Sequence, residues 1–295
     1  MWIAGIDIGG TQLRAGIYDE EYRQVSSFKT LNDRSQTPGE NMKPLIGYLL
    51  EHGDRLKKIG IGCPGPLDLR AGRLVDPPNL VGWDHFEIVR HVREQTGLTA
   101  LLNNDANVAG LAEALRGAGQ GYDSVAFMGI STGIGGAFVL DGRLYNGAHG
   151  NAAEFWSMIV NEDSRCHKNA NPGSLNEQCS GSGLATAATA LFGTPTDART
   201  LFARAAEGHE GAARVIEKAA DTLARGIANI SCTLDPAVIV IGGSVAIHNP
   251  SYIARATELA KNYIVYSEDI VVRPAVFGDD AGMLGAALMA GMADA

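Results

Sequence analysis

Hydrophobic and polar positions change period repeatedly along this chain, and each change marks an element. The apolar run Trp2-Ile3-Ala4-Gly5-Ile6 leads into Asp7-Ile8-Gly9-Gly10-Thr11, after which Leu13, Ala15 and Ile17 occupy alternate positions. The pattern predicts strands over 2–7, 13–18 and 23–29, the first two joined by a tight glycine turn. Spacing then becomes helical, with Met42, Leu45, Ile46 and Leu49 on one face of a helix over 38–52. A buried strand over 58–63 runs into Pro64-Gly65-Pro66, which cannot continue a ladder. Helices are predicted over 85–96 and 105–116, with a short strand at 100–102 between them.

The order then repeats. Ser124-Val125-Ala126-Phe127-Met128 leads into Gly129-Ile130-Ser131-Thr132-Gly133-Ile134-Gly135-Gly136, followed by Ala137 and Val139 in alternation. Strands are predicted near 123–130, 135–140 and 143–146, then an irregular stretch from 147 to 178. Loops of that length inside compact domains usually carry function. Helices follow over 181–192, 197–207 and 210–234, and a buried strand over 237–241 ends in Gly242-Gly243-Ser244. A helix over 250–264, a strand over 269–274 and an Ala-, Gly- and Met-rich helix over 281–293 complete the chain. That last helix is expected to return to the first lobe. The predicted lobes are 1–117 plus 281–295 and 118–280, with Gly117-Ala118-Gly119-Gln120-Gly121 as the passage.

A strand, a glycine turn and a returning strand place backbone N–H groups at a tip, where the missing Cβ lets phosphate oxygens approach. Neither turn ends Gly-Lys-Ser/Thr or opens a helix, so neither is a P-loop or a dinucleotide fingerprint. One such turn alone reads equally well as an ordinary hairpin. The repetition, and the Asp and Thr that flank Gly9-Gly10, favour two facing lobes holding one polyphosphate.

At 295 residues the chain has room for two medium domains with cores of their own. Its 45% hydrophobic and 19% charged residues are those of an ordinary globular protein. A net charge of −9 argues against a nucleic-acid or anionic-membrane surface, so an anionic ligand must rely on local donors. No apolar run reaches transmembrane length, and the first core strand starts directly after Met1, so no signal peptide is expected. Cys63, Cys166, Cys179 and Cys232 are scattered, Cys63 and Cys232 in apolar segments, and read as reduced thiols of a cytoplasmic protein.

Asn103-Asn104-Asp105-Ala106-Asn107 stands where the strand Ala100-Leu101-Leu102 meets a helix, the strand end at which α/β sheets bind ligands. Asp105 is also near the helix N-cap, so a capping role stays open. A carboxylate among amides suits a polyhydroxylated ligand, because each hydroxyl both donates and accepts.

With these residues the chain resembles the ROK sugar kinases, within the actin-like ATPase and hexokinase fold. The resemblance runs through Asp7–Thr11, Gly62-Cys63-Pro64-Gly65-Pro66-Leu67-Asp68, Pro78-Asn79-Leu80 with Trp83, and Asn103–Asn107. It continues through Gly129–Gly136, Ala153-Glu154-Phe155, Ser180-Gly181 and Ile241-Gly242-Gly243. It implies an α/β, two-lobed, ribonuclease H-like fold with a ligand cleft between the lobes. It also implies ATP-dependent phosphorylation of a sugar hydroxyl, O6 by the family's habit, with Mg²⁺. On this resemblance Asp105 is the general base, and Gly65, Asn79, Asn104, Asp105 and Glu154 surround the sugar. Gly9, Gly10, Thr11, Thr132 and Gly133 form the phosphate turns. Asp7 is the carboxylate near Mg²⁺, and Gly242 and Gly243 lie beside the nucleoside. A homodimer is usual in the family; no nucleic acid or membrane partner is expected.

The chain departs from the family at its zinc cluster. Ser157 stands at the zinc-site His position, and Cys166-His167-Lys168-Asn169 with Gly173-Ser174-Leu175-Asn176 replaces most of the cysteine-rich run. Cys166, His167 and Cys179 match no standard site, and no structural zinc is expected. The lost His, and the Glu whose position Asn176 occupies, also reach hydroxyls near C1 and C2 in relatives. Ser157 and Asn176 are therefore expected at the anomeric end of a roomier sugar pocket, one that admits a β-glucoside or another substituted sugar. Arg14 stands where relatives often have Lys, and Trp156 either lines the sugar pocket or fills the core. The alternative is a non-catalytic sugar-sensing or regulatory ROK protein. Asp7 follows the first residue too closely for a preceding helix-turn-helix, and retention of Asp7, Asp105 and Glu154 favours catalysis.

Overall fold

A near-continuous apolar run over Trp2–Ile8 (β1) and alternating apolar positions over Gln12–Tyr18 (β2) build a hairpin that buries Ile6, Ile8, Leu13, Ala15 and Ile17. The computed structural model describes residues 1–163, 171–266 and 270–293. The chain divides into two compact units: Met1–Glu113 with Gly147–Gly150 and Asp279–Ala295, and Ala114–Asn146 with Asn151–Gly278.

In the first unit, β3 (Gln24–Leu31) leads to α1 (Pro38–Leu50) and β4 (Leu56–Cys63). Thr37 and Glu40 exchange hydrogen bonds as a capping box at the start of α1, and Met42, Leu45, Ile46 and Leu49 form its buried face. After the short pair β5 (Leu67–Asp68) and β6 (Arg73–Leu74) come α2 (Ile88–Thr96), β7 (Thr99–Asn104) and α3 (Asp105–Arg116). Helix α2 begins three residues after the expected position 85. The reason is local: His85 adopts φ 57° and donates its N–H to Val75, while the Phe86 carbonyl accepts from Leu74. Those peptide groups pair with the preceding chain and cannot open a helix. The sheet runs β3-β2-β1-β4-β7, antiparallel on the β2 side of β1 and parallel on the β4 side.

The second unit holds β8 (Ser124–Ile130), β9 (Ile134–Leu140), β10 (Arg143–Leu144), α4 (Leu175–Cys179), α5 (Gly181–Phe192), α6 (Ala198–Ala206) and α7 (Glu210–Leu234). Then follow β11 (Val238–Gly242), α8 (Ser244–His248), α9 (Pro250–Ala260) and β12 (Val272–Pro274). Its sheet runs β10-β9-β8-β11-β12 with the same senses, so each unit has the same strand order. The five-residue helices α4 and α8 were not expected from the sequence, because neither is long enough to show a helical period. Cys232, placed by sequence in an apolar segment, lies exposed on α7. Cys166 and His167 lie outside the described residues.

The last helix, α10 (Ala281–Met292), packs on β1 and β4 of the first unit. The approach is backbone to backbone: a Cβ on Gly5 would stand 1.8 Å from the Met283 carbonyl oxygen, and one on Gly60 1.8 Å from that of Ala286. Glycine is required at both strand positions for this helix to seat. Among the described residues no helix is long and apolar enough to cross a membrane.

Candidate active site

The parallel strands β1, β4 and β7 end together, and their register sets one row of residues across the sheet: Lys29, Arg14, Asp7, Gly62 and Asn103. Asp7 is buried, and Arg14, directly opposite on β2, donates a hydrogen bond from Nη2 to its carboxylate. Burial pushes the Asp7 carboxyl above its ordinary range; the Arg14 charge and hydrogen bond oppose this, and Asp279 adds to it. Arg14, which the sequence left without a role, is thus the partner of Asp7.

Two residues further on, the turn closes through Gly9 N–H to the Gln12 carbonyl at 2.8 Å. Asn32 then takes hold of the turn's carbonyls. Its side-chain amide donates to the Gly9 oxygen at 3.0 Å, and its backbone N–H donates to the Thr11 oxygen at 2.8 Å. With these oxygens held back, the successive N–H groups of Gly10 and Thr11 have no acceptor among the described residues. Two adjacent N–H groups presented this way form an anion-binding concavity. Asn79 meets the turn from the other side: a Cβ on Gly10 would stand 2.8 Å from the Asn79 carbonyl oxygen. The buried Leu80 and Trp83 anchor that loop while Asn79 itself stays exposed. A cavity of about 600 Å³ opens beside the turn, lined by Gly10, Thr11, Asn32, Arg34 and Asn41 among others.

At the end of β7, Asp105 is the first residue of α3. Asn104 Oδ1 and Asp105 Oδ1 both accept from the Ala106 N–H, at 2.9 and 2.8 Å, so the cluster caps the helix as well as facing the strand end. Asn103 Oδ1 accepts from Asn104 N–H at 2.8 Å and Asn107 Nδ2 at 3.0 Å, which fixes the buried amides. Gly65, after the strand break at Pro64, comes within 3.5 Å of Asn104 Nδ2, measured from the Cβ position it lacks. Cys63 is buried there. Desolvation, and then the charges of Asp105 and Asp7, push its thiol well above the ordinary value, so it stays neutral. The first unit therefore gathers Asp7, Gly9, Gly10, Thr11, Gly65, Asn79, Asn104 and Asp105 at one end of its sheet.

In the second unit the turn Ser131-Thr132-Gly133 closes through Ser131 N–H to the Gly133 oxygen at 2.8 Å. Its outer carbonyls face the start of α5: Gly181 N–H donates to Ser131 at 2.8 Å and Ser182 N–H to Thr132 at 3.0 Å. Ser244, opening α8, donates its N–H to Ser131 Oγ at 3.0 Å. Again two successive N–H groups, those of Thr132 and Gly133, have no acceptor among the described residues. Asn176 on α4 holds the far side, its Oδ1 accepting from Ile134 N–H at 3.0 Å. Gly243, with φ 86°, lies against this turn, since a Cβ there would stand 2.4 Å from the Ile130 oxygen. Gly242 pairs in register with Gly129, and Gly129 with Gly135, leaving a strip without side chains across three strands.

Glu154 and Ser157 lie on a single 3₁₀ turn seated over β9, where a Cβ on Gly136 would come 2.3 Å from the Ala153 oxygen. Ala153 adopts φ 60°, a left-handed conformation that β-carbon sterics disfavour and that the surrounding packing must hold. Glu154 is exposed and its carboxylate accepts the Trp156 indole N–H, while Ser157 Oγ donates to the Glu154 carbonyl at 2.9 Å. Trp156 packs against the second unit's core, and its indole N–H holds the Glu154 carboxylate. Cys179 is fully buried, donates to the Ala219 carbonyl at 3.4 Å, and has its thiol pushed up to about 12 by burial. Among the described residues no group of three or more His, Cys, Asp or Glu side chains could hold a metal ion. Sequence reasoning missed Asn32 and the role of Arg14, which only the fold brings to their partners.

A family model described as ROK family matches residues 3–292. The chain is 36% identical over 291 residues to an N-acetylmannosamine kinase of Citrobacter koseri, covering 97% of each chain. It is 34% identical to a ROK hexokinase of Thermus thermophilus of known structure, with a TM-score of 0.91 and 98% of each chain covered. A ROK family glucokinase of Streptomyces griseus, solved with glucose and AMPPNP, is 27% identical with a TM-score of 0.79, over 98% of this chain and 99% of that one. The fold is the mixed α/β actin-like ATPase fold, its five-stranded sheet occurring once in each unit.

Proposed function

The chain belongs to the ROK family, and from that premise we propose that it is a sugar kinase that transfers the γ-phosphoryl group of ATP to O6 of a hexose or hexose derivative. The observation that carries the reading is Asp105, a carboxylate at a parallel strand end, with Asn104 and Gly65 beside it and a turn presenting two N–H groups in the same unit. Phosphoryl transfer passes through a loose transition state, so the protein's work is positioning and charge stabilisation. Asp105 orients the acceptor hydroxyl and takes its proton as the new O–P bond forms. Asn79, Asn104 and Glu154 hold other hydroxyls, each amide offering both a donor and an acceptor. The paired N–H groups of Gly10-Thr11 and of Thr132-Gly133 receive phosphate oxygens, and the side-chain-free strip at Gly242, next to Gly243, suits the flat nucleoside.

Mg²⁺ takes one or two carboxylates together with substrate phosphates. Asp7, an oxygen donor just before the Gly9-Gly10 turn, fits that requirement and would hold the ion, which supplies charge neutralisation on the phosphates. Its hydrogen bond to Arg14 keeps the buried carboxylate aimed and favours its ionised form.

The substrate is proposed to carry a substituent at C1 or C2. Ser157 and Asn176 are small and uncharged at the positions that the resemblance puts at the anomeric end. A β-glucoside is accommodated by that space, and the N-acetylmannosamine kinases among the relatives extend the choice to an acylamino group at C2. A cytoplasmic homodimer is proposed, on the family's habit. The test is an ADP-release panel over glucose, methyl and phenyl β-glucosides and N-acetylmannosamine, with ³¹P NMR of the product. A 6-phosphate ester and a higher kcat/KM for a substituted sugar are expected. A large preference for free glucose overturns the substituent, and ADP release that no sugar stimulates overturns the kinase.

A further inference from the structure

Asn176 is the position at which the family resemblance implies a sugar ligand, yet both ends of its amide are engaged elsewhere. Oδ1 accepts from Ile134 N–H at 3.0 Å, and Nδ2 donates to Glu177 Oε1 at 3.1 Å. The orientation of the amide is determined, because an N–H can only donate and the carboxylate only accepts. Glu177 is 4% exposed, so this second contact is made inside the protein. The short helix that carries both residues is itself immobilised. Leu175 is fully buried and donates its N–H to Met158 at 2.8 Å, and the Asn176 carbonyl accepts from Ser180 at 3.2 Å.

What this amide grips is the turn that presents the Thr132 and Gly133 N–H groups. Ile134 is the residue that leaves the turn, and a Cβ on Gly133 would lie 3.2 Å from Asn176 Oδ1. Ser131 and Thr132 are tied to α5 and α8 on the entry side, while on the exit side Asn176 supplies the tie. Without it the Ile134 N–H loses its acceptor and Gly133 is restrained from one side only. An anion site made of two adjacent N–H groups depends on their common direction, so loosening one flank weakens phosphate capture.

We propose that Asn176, fixed by Glu177, is a positioning residue for the donor-phosphate turn, and that it contributes space and no hydrogen bond to the sugar. This rests on the kinase reading and deepens it, because it joins the smaller residue at the anomeric end to nucleotide affinity.

The experiment measures KM for ATP and for sugar, and calorimetric affinity for ADP, in Asn176→Leu, Asn176→Asp and Glu177→Gln. Asn176→Leu removes both bonds at similar volume and raises the KM for ATP and the Kd for ADP about tenfold, as loss of one turn-holding bond implies. The sugar KM and the ratio of glucoside to glucose turnover stay within about twofold, since no sugar bond is lost. Asn176→Asp keeps an acceptor toward Ile134 but sets a second carboxylate against Glu177 and beside the phosphate turn. It therefore also weakens ADP binding, with a salt dependence that Asn176→Leu lacks. Glu177→Gln preserves the test if the Leu variant fails to fold. Glu177→Gln shifts ADP affinity in the same direction by a smaller factor. A rise in sugar KM with unchanged ADP affinity, or no change in either, overturns the proposal. Failure of the parent protein to bind ADP at all would instead overturn the kinase reading.

Discussion

At one level of its sheet the first unit carries Arg14, Asp7 and Gly62 in register; at the matching level of a sheet with the same strand order, the second carries Gly135, Gly129 and Gly242. Two residues beyond Asp7 and beyond Gly129, each chain turns and presents a pair of N–H groups. The backbone device is thus the same twice, and the side chains around it are opposite. The first unit surrounds its turn with an ion pair and a carboxylate, and its turn carbonyls are held by one residue, Asn32. The second removes side chains and holds its turn carbonyls with the start of a helix, whose exposed N–H groups need acceptors. In the proposed reading, the charge that would handle the metal and the proton sits on one unit, and the bare backbone that would admit a nucleotide sits on the other.

Among changes that blur this contrast, erasing the Asp7 charge on the first side has the largest expected effect. Asp7→Asn lowers kcat by about two to three orders of magnitude, the scale of losing a charge-stabilising group at a phosphoryl-transfer site. Its effect on stability runs the other way. Because burial raises the Asp7 pKa in the folded protein, the ionised carboxylate penalises the fold at neutral pH, and the penalty is relieved as pH falls through the raised value. Thermal melting of Asp7→Asn is therefore at or above the parent at neutral pH, and the parent gains on the variant as the medium is acidified. A variant that melts well below the parent at neutral pH, with the gap constant on acidification, contradicts this assignment.

The converse change carries charge into the second unit. Gly129→Asp places a carboxylate at the level of Asp7 without a facing Arg, and its Cβ meets only the Phe127 ring, at 3.4 Å. Like-charge repulsion with phosphate raises the KM for ATP by about tenfold or more, and raising the salt concentration reduces the effect. Unchanged nucleotide affinity in steady-state kinetics contradicts the placement of the nucleotide beside this strip.

A smaller effect separates the two ways of holding a turn. Asn32→Ala releases the Gly9 oxygen from its side-chain donor while the backbone bond to Thr11 remains. Loss of one hydrogen bond of this kind costs about 1 kcal/mol of stability and raises the KM for ATP a few-fold. Urea denaturation and ATP titration of the same preparation check both halves of that expectation.

Much of this organisation was legible before the structure. Apolar runs and alternation located the two hairpins, helical spacing of Met42, Leu45, Ile46 and Leu49 located α1, and the glycine turns identified themselves by recurrence. Local chemistry also found Asp105 and its amides, because a strand end meeting a helix start is written in consecutive residues. What the sequence hid was long-range partnership. Asn32 lies 23 residues from Gly9, and Asn176 lies 42 residues from Ile134, in segments with no period that points to the turn each one holds. Arg14 was visible as a cation on a strand, but only the register of β1 and β2 makes it the partner of Asp7. Helix α4 was hidden for a different reason: five residues are too few to show a helical repeat, and tertiary packing on Leu175 defines it.

The most direct test is sugar-stimulated ADP release by the parent and by Asp105→Asn, measured side by side at saturating ATP with ADP affinity determined in parallel. A hexose or substituted hexose is expected to stimulate the parent. In the variant the rate falls by about two to four orders of magnitude, the range for losing a general base, while ADP affinity is unchanged. Equal sugar-stimulated rates in the two proteins would contradict this role for Asp105.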